Sequence, residues 1–134
     1  MKTSWLAVQS VISALGGCIG YFLGGWDGFL YALVAFVVID YLTGLMVAVL
    51  ERKLSSEVGF RGIFTKVLIF ALVGIANVVD AELIKTGSAI RTAVIFFYLS
   101  NEGISIFENA GKIGLPIPEK LRVILAQLNK ESDR

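Results

Sequence analysis

Hydrophilic side chains inside an apolar stretch are the residues of this chain whose types and spacing could do chemistry. Between Ala89 and Lys112, five of them follow one another at intervals of 7, 4, 3 and 4 residues: Arg91, Tyr98, Glu102, Ser105 and Asn109. At about 100° per residue, these intervals keep all five within about 60° of one another on a helix. Such a line of groups could border water, relay protons or hydrogen-bond a neighbouring helix.

A second acid, Asp40, is the one charged residue of the apolar run Phe29 to Leu50. It lies about 16 Å along a helix that starts at Phe29, close to the centre of a bilayer, and shares a face with Thr43. An ionised acid at that depth costs roughly 3 kcal/mol on insertion scales, so it must be protonated, paired or reached by water. We call the seven residues together the polar seam. Whether the polar seam borders water in the assembled protein or only joins helices stays open.

The composition excludes several classes of protein. The chain has 134 residues, of which 56% are hydrophobic and only 17% charged, and its mean hydropathy is +0.77. It has no histidine and one cysteine, Cys18, which rules out an internal disulfide and removes the usual general base. We find no nucleophile–base pair, metal set or phosphate loop, so we expect neither an enzyme nor a cofactor. A net charge of +1 gives no reason to expect nucleic-acid binding.

The apolar runs predict an all-α, polytopic membrane bundle. Four spans are expected at about 6–23, 29–50, 64–80 and 89–107, within a membrane domain at 1–113. Segments 51–63 and 80–87 are expected to be a polar loop and a polar turn. The fourth span is interrupted by polar residues and needs other helices to insert. Three spans would remain if the first were absent or cleaved at a lipoprotein-like box ending in Cys18, although the residues after Cys18 stay apolar.

Small residues at helical spacing predict where helices approach closely. In the first span they recur at intervals of four, and a second group lies in the span that carries Asp40. Small side chains in register allow close backbone contact in lipid. The predicted packing residues are Ser13, Gly16, Gly17, Gly20, Gly24, Gly44 and Ala48.

The positive charges predict the orientation. With four spans, ten lysines and arginines lie on the side of the termini and the loop at 51–63, and two, Lys85 and Arg91, lie on the other. Cytoplasmic segments carry the excess of positive charge, so both termini are expected in the cytoplasm. The ten are Lys2, Arg52, Lys53, Arg61, Lys66, Lys112, Lys120, Arg122, Lys130 and Arg134.

Segment 114–134 differs from the rest. After Pro116 and Pro118, apolar residues recur with helical spacing at Leu121, Ile124, Leu125 and Leu128. The pattern predicts a short amphipathic cytoplasmic helix. It could lie on the membrane surface, cap the bundle or bind a partner.

Several of these pieces, taken in order over roughly residues 37–125, resemble a known family. They are Asp40 with Thr43-Gly44-Leu45, the segment 52–56 with Gly59 and Gly62, the segment 102–106 with Asn109, and Gly114-Leu115-Pro116-Ile117-Pro118 with Lys120-Leu121. The set is similar to the phage-lysis and toxin-secretion holins of Gram-positive bacteria and their phages, a group that includes the phi29-type phage holins and the clostridial toxin holin.

This resemblance implies a holin that accumulates in the host cytoplasmic membrane and assembles at a set time into lesions. Its partners would be itself, as a homo-oligomer, and the lipid bilayer. An endolysin or a toxin would be its cargo, and an antiholin is possible. Two other classes fit the same residues: a small ion channel or transporter subunit that uses Asp40 and Glu102, and an anchor protein that uses the tail helix.

Overall fold

The chain folds into five helices and, within residues 1–132, contains no strand. The structure, a computed structural model, describes residues 1–132, apart from the side chains of residue 125 and residues 128–132. The helices are α1 (Lys2–Leu23), α2 (Gly28–Leu50), α3 (Ser56–Val78), α4 (Ala89–Ile113) and α5 (Glu119–Ser132). The predicted all-helical class is confirmed.

Local sequence signals fix several helix ends. Asp27 caps α2 by accepting a hydrogen bond from the Leu30 backbone N–H at 2.9 Å. Ser55 caps α3 in the same way, accepting from Val58 at 3.2 Å. Gly24 and Gly114 end α1 and α4 in the left-handed conformation, at φ 91° and 116°.

Two predicted connections were wrong. The segment at 51–63 was expected to be a loop, but α3 begins at Ser56, so the third long helix starts eight residues before the predicted position 64. The segment at 80–87 was expected to be a turn, but α3 continues as a π-helix over Val79–Ile84. The connection to α4 is therefore confined to residues 85–88.

Three helices are long and apolar enough to cross a membrane: Lys2–Leu23, Gly28–Leu50 and the combined helix Ser56–Ile84. This confirms the prediction of membrane-spanning helices. α4 has 25 residues, which at 1.5 Å per residue gives about 37 Å, long enough to cross a bilayer. Its polar content sets it apart from the other three, and a fourth crossing remains a prediction.

The core lies where α2, α3 and α4 meet. Four of its side chains are almost wholly buried: Leu30, Leu33, Val73 and Ile95. α1 packs against α3 only near its own C-terminal end, and residues 1–15 are exposed throughout. α5 follows Pro118, and the amphipathic character predicted for it stays a prediction because the side chains of Leu125 and Leu128 lie outside the described residues.

Candidate functional site

A buried group of three charges joins α2, α3 and α4. The Lys66 ammonium of α3 donates to a carboxylate oxygen of Asp40 and, at 2.5 Å, to Oε2 of Glu102. The side chains of Lys66, Asp40 and Glu102 are 17%, 8% and 7% exposed. We call these three residues the ion triad.

All three members lie in the middle of their helices. Asp40 is 12 residues after the start of α2, Lys66 is 10 after the start of α3, and Glu102 is 13 after the start of α4. At 1.5 Å per residue, these positions are about 15–20 Å from a helix end. If these helices cross a bilayer, the ion triad is therefore far from either aqueous phase.

Polar groups of α2 and α4 extend the ion triad toward the end of the bundle that carries the 51–55 connection. Asn109 Nδ2 donates to Asp40 Oδ1 at 3.2 Å and to Thr43 Oγ1 at 3.0 Å. Ser105 lines a pocket of about 230 Å³ together with Asp40, Lys66 and Asn109. Four predicted residues of the polar seam on α4 and α2 (Glu102, Ser105, Asn109, Asp40) thus come together, and Thr43 lies beside them.

The electrostatics of the ion triad follow from its composition. One ammonium faces two carboxylates, so the group carries one excess negative charge if every member is ionised. Removing each ion from water costs several kcal/mol, which close pairing and hydrogen bonds must offset. The arrangement gives both buried acids one shared cation within the bundle, and any movement that separates the three helices exposes uncompensated charge.

Arg91 lies elsewhere, at the opposite end of α4. It is 11 residues from Glu102, about 16 Å along the helix. Its guanidinium donates to Asp27 at 2.7 Å, to the Leu23 carbonyl at 2.5 Å and to the Gly25 carbonyl at 3.1 Å. The structure thus divides the polar seam between two places, and the connections at 24–27 and 85–88 share one end of the bundle.

The Arg91 site affects Asp27 electrostatically. The hydrogen bond from Arg91 lowers the pKa of Asp27 below its ordinary value of 3.8, although burial opposes the shift. On the other side of Arg91, Asp80 is 2% exposed and accepts from the backbone N–H groups of Ile90 and Arg91 at 3.2 and 2.8 Å. Asp80 thereby caps α4. Tyr98, between the two ends, packs against the apolar core.

Sequence reasoning missed Lys66, Asp27 and Asp80. Lys66 had been counted among the cytoplasmic charges, and it lies instead within α3, so it is not a loop cation. A signal existed: Lys66 precedes Ile69 and Val73 by three and seven residues, so it lies on the buried stripe of α3. Two acids predicted inside apolar helices also call for a nearby cation.

The predicted packing residues have different surroundings. The Trp26 ring covers Gly20, and its Nε1 donates to the Gly16 carbonyl at 3.3 Å.

The other predicted packing residues differ in the space around them. A Cβ at Gly24 would lie 2.6 Å from Arg91 Nε, and one at Gly44 would lie 3.8 Å from Asn109. A Cβ at Gly16 or Gly17 would meet nothing within 4 Å. Ser13 is exposed and Ala48 is buried.

Gly74, a glycine absent from the predicted set, lies where α1 packs on α3. The Phe22 ring lies directly against Gly74 of α3, where an added Cβ would be 1.9 Å from a ring carbon.

Comparisons with known proteins place the chain among its relatives. Residues 17–130 match the bacteriophage holin family. An uncharacterized 14.9 kDa protein in the nagH 3′ region of Clostridium perfringens is 41% identical over 90% of this chain and 91% of its own length. The uncharacterized Lmo0128 of Listeria monocytogenes is 40% identical over 90% and 86%, and YqxH of Bacillus subtilis is 35% identical over 85% and 80%. No solved structure matches this chain.

Proposed function

The chain belongs to the bacteriophage holin family, and on that premise we propose that it is a phage or prophage holin. It oligomerises in the host cytoplasmic membrane and forms lesions that release an endolysin or a toxin for timed lysis. The family forms pores without catalysing a reaction, so the proposed role involves no enzymatic step. Its partners are other copies of itself and the bilayer, the released protein is cargo, and an antiholin could delay assembly.

The observation that carries this proposal is the ion triad near the middle of three helices that are each long enough to cross a bilayer. A protein of 134 residues cannot enclose a protein-sized hole alone, so copies must assemble side by side. The wall of such a hole must present hydrophilic groups at bilayer depth. Asp40, Lys66 and Glu102 are hydrophilic groups at that depth, and within one copy they shelter one another.

Two states follow from this arrangement. In the closed state, pairing within the ion triad offsets the loss of hydration. In the open state, the helices that carry Asp40, Lys66 and Glu102 separate, and water in the lesion solvates the same groups. Because buried ion pairs are close to break-even against hydration, modest contacts between copies are sufficient to shift the balance.

The proposed orientation places both termini in the cytoplasm. Without Lys66, nine lysines and arginines remain on the side of the termini and the 51–55 connection. On the opposite side, Arg91 is paired with Asp27, which leaves Lys85. The bias continues to favour cytoplasmic termini.

Co-expression with an endolysin that lacks an export signal tests the function. We expect normal growth followed by an abrupt fall in culture turbidity that requires both proteins, and release of folded cytoplasmic enzymes. Glu102→Gln keeps the hydrogen-bonding shape but removes the charge, so it should change the time of lysis. Steady ion leakage without release of folded protein would favour the ion-channel alternative and contradict the holin proposal.

A further inference from the structure

Asn101 is a polar residue at the middle of α4 that faces outward. It lies 12 residues from both Ala89 and Ile113, the two ends of the helix. Its side chain is exposed, and it makes no hydrogen bond to any side chain or backbone group that the structure describes. If α4 crosses the membrane, an unpaired carboxamide therefore lies at the centre of the bilayer.

The groove beside Asn101 is not covered by the rest of the chain. Two adjoining hollows between α3 and α4, of about 460 and 380 Å³, share Leu72 and Tyr98 and form one continuous groove. Leu68 and Phe97, 62% and 58% exposed, supply apolar surface along it. Thr65 and Asn101 line the half of the groove that is nearer the 51–55 connection. We call this surface the α3–α4 groove.

Lipid chains fit the apolar walls but not the amide. An acyl chain offers neither donor nor acceptor, and an unpaired amide in hydrocarbon is unfavourable. The Thr65 hydroxyl does not serve as the donor, because it already donates to the Arg61 carbonyl at 2.8 Å. α1 contacts α3 near Gly74, through Phe22, and leaves the groove open.

We propose that the α3–α4 groove packs against the same groove of a second copy, with the two Asn101 carboxamides hydrogen-bonded to each other. A carboxamide carries both a donor and an acceptor, so it is complementary to its own copy. Two copies with the same orientation in the membrane are related by a two-fold axis along the bilayer normal, which brings residues of equal depth together. This inference rests on the proposed function and names the surface by which closed copies associate before the helices of each copy separate.

Disulfide cross-linking in isolated membranes tests the contact. A chain with Cys18→Ala and Asn101→Cys should form covalent dimers on oxidation. The matched control carries Ile39→Cys instead, because Ile39 lies at similar depth on α2 and is 46% exposed. We expect far more dimer from position 101 than from position 39, and equal yields would overturn the proposal.

A second measurement does not depend on introduced thiols. In liposomes, energy transfer between labelled copies should show that Asn101→Leu weakens association by about 3- to 20-fold, the range for one interhelical hydrogen bond in a membrane. Asn101→Gln keeps the carboxamide and should weaken association less. Unchanged association of Asn101→Leu would contradict the proposal.

Other occupants give other results. Ser13 on α1 lies at the depth of Asn101, since each is ten residues from the contact between Leu23 and Arg91. If α1 of a second copy fills the groove, a chain with Cys18→Ala, Ser13→Cys and Asn101→Cys will form a 101–13 cross-link rather than a 101–101 cross-link, which overturns the two-fold contact. If only lipid fills it, position 101 will cross-link no better than position 39. If the contact is wrong and the holin proposal is right, endolysin-dependent lysis will occur without a 101–101 cross-link. If the holin proposal is wrong, no endolysin-dependent lysis will occur, although the 101–101 cross-link can still form.

Discussion

Lys66 sets the charge balance inside the bundle, since it is the cation shared by Asp40 and Glu102. Lys66→Met should lower the free energy of unfolding by about 3–5 kcal/mol, because it leaves two buried carboxylates without a counter-charge. Denaturant unfolding in detergent micelles measures the effect. The matched control is Lys53→Met, whose side chain is 76% exposed, and it should change little.

The triple variant with Asp40→Asn, Lys66→Met and Glu102→Gln tests whether charge is the cause. It removes all three charges while keeping similar shapes, so it should recover most of the lost stability. If the triple variant is as unstable as Lys66→Met alone, the loss is one of packing, and the electrostatic account of the ion triad is wrong.

Asp27 gives a pH dependence at the opposite end of the bundle. Its pKa is lowered by the hydrogen bond from Arg91, so its contribution is complete above the ordinary value of 3.8 and is lost as the pH falls through the lower folded value. The side chain is 43% exposed, which limits the contribution to about 1 kcal/mol or less.

Asp27→Asn keeps an oxygen that can cap α2 but removes the titrating group. Stability below pH 4 should therefore depend less on pH in this variant than in the parent, as measured by thermal unfolding at a series of pH values. Glu51→Gln, at the other end of the bundle, is the control and should retain the acid sensitivity of the parent. An unchanged acid response in Asp27→Asn would exclude this pair as its source.

The polar positions on α4 could be predicted from spacing, because intervals of 3, 4 and 7 residues define one helix face. Their partners could be predicted only in part. Lys66 follows Arg52, Lys53 and Arg61 in the sequence, and counting charges alone assigns it with them to the cytoplasmic side. Only the tertiary arrangement, which places Lys66 between α2 and α4, shows that it pairs with both acids.

At the scale of elements, the start of α3 shows why boundaries are hard to predict. Segment 51–63 contains Gly59 and Gly62, which weaken a helix on propensity alone. In the fold, the Tyr41 ring packs on Gly62 and its hydroxyl donates to the Gly59 carbonyl at 3.2 Å. Contacts with α2 therefore favour a helix that local propensity does not. The start of that helix at Ser55, in contrast, can be recognised from the sequence because serine is a preferred helix-capping residue.

The contact between Phe22 and Gly74 attaches α1 to the bundle. Gly74→Ala should displace the Phe22 ring and lower the free energy of unfolding by about 1–3 kcal/mol, as overpacking does. Gly16→Ala is the control, since its Cβ meets nothing within 4 Å, and it should not destabilise a single copy. Adding Phe22→Leu to Gly74→Ala should restore part of the loss, and no restoration would exclude this ring as the cause.

The course of α4 decides whether the chain crosses the membrane four times. With Cys18→Ala as background, Thr86→Cys should react with an impermeant maleimide in intact cells. Leu54→Cys and Gln127→Cys should react only after permeabilisation, because both are predicted to face the cytoplasm. Labelling of Gln127→Cys in intact cells would show that the topology of α4 differs from the proposed one.

At the scale of the whole molecule, the fold gathers the buried charges of the described residues at two sites. The ion triad joins α2, α3 and α4 at mid-depth, and the Arg91–Asp27 pair joins the loops at one end. Along the lengths of the helices, the outer surface is largely apolar, as lipid contact requires. In the proposed lesion, the bundle must therefore open for the hydrophilic groups to reach water, and we expect opening and assembly of copies to be coupled.

Accessibility of position 105 before and after lysis begins tests this coupling most directly. Ser105 lines the pocket beside the ion triad, so Ser105→Cys with Cys18→Ala places a thiol there without removing a charge. We predict that an impermeant maleimide fails to label this thiol during growth and labels it once folded protein escapes. Labelling throughout growth, or none after lysis, would contradict a bundle that opens to expose its buried charges.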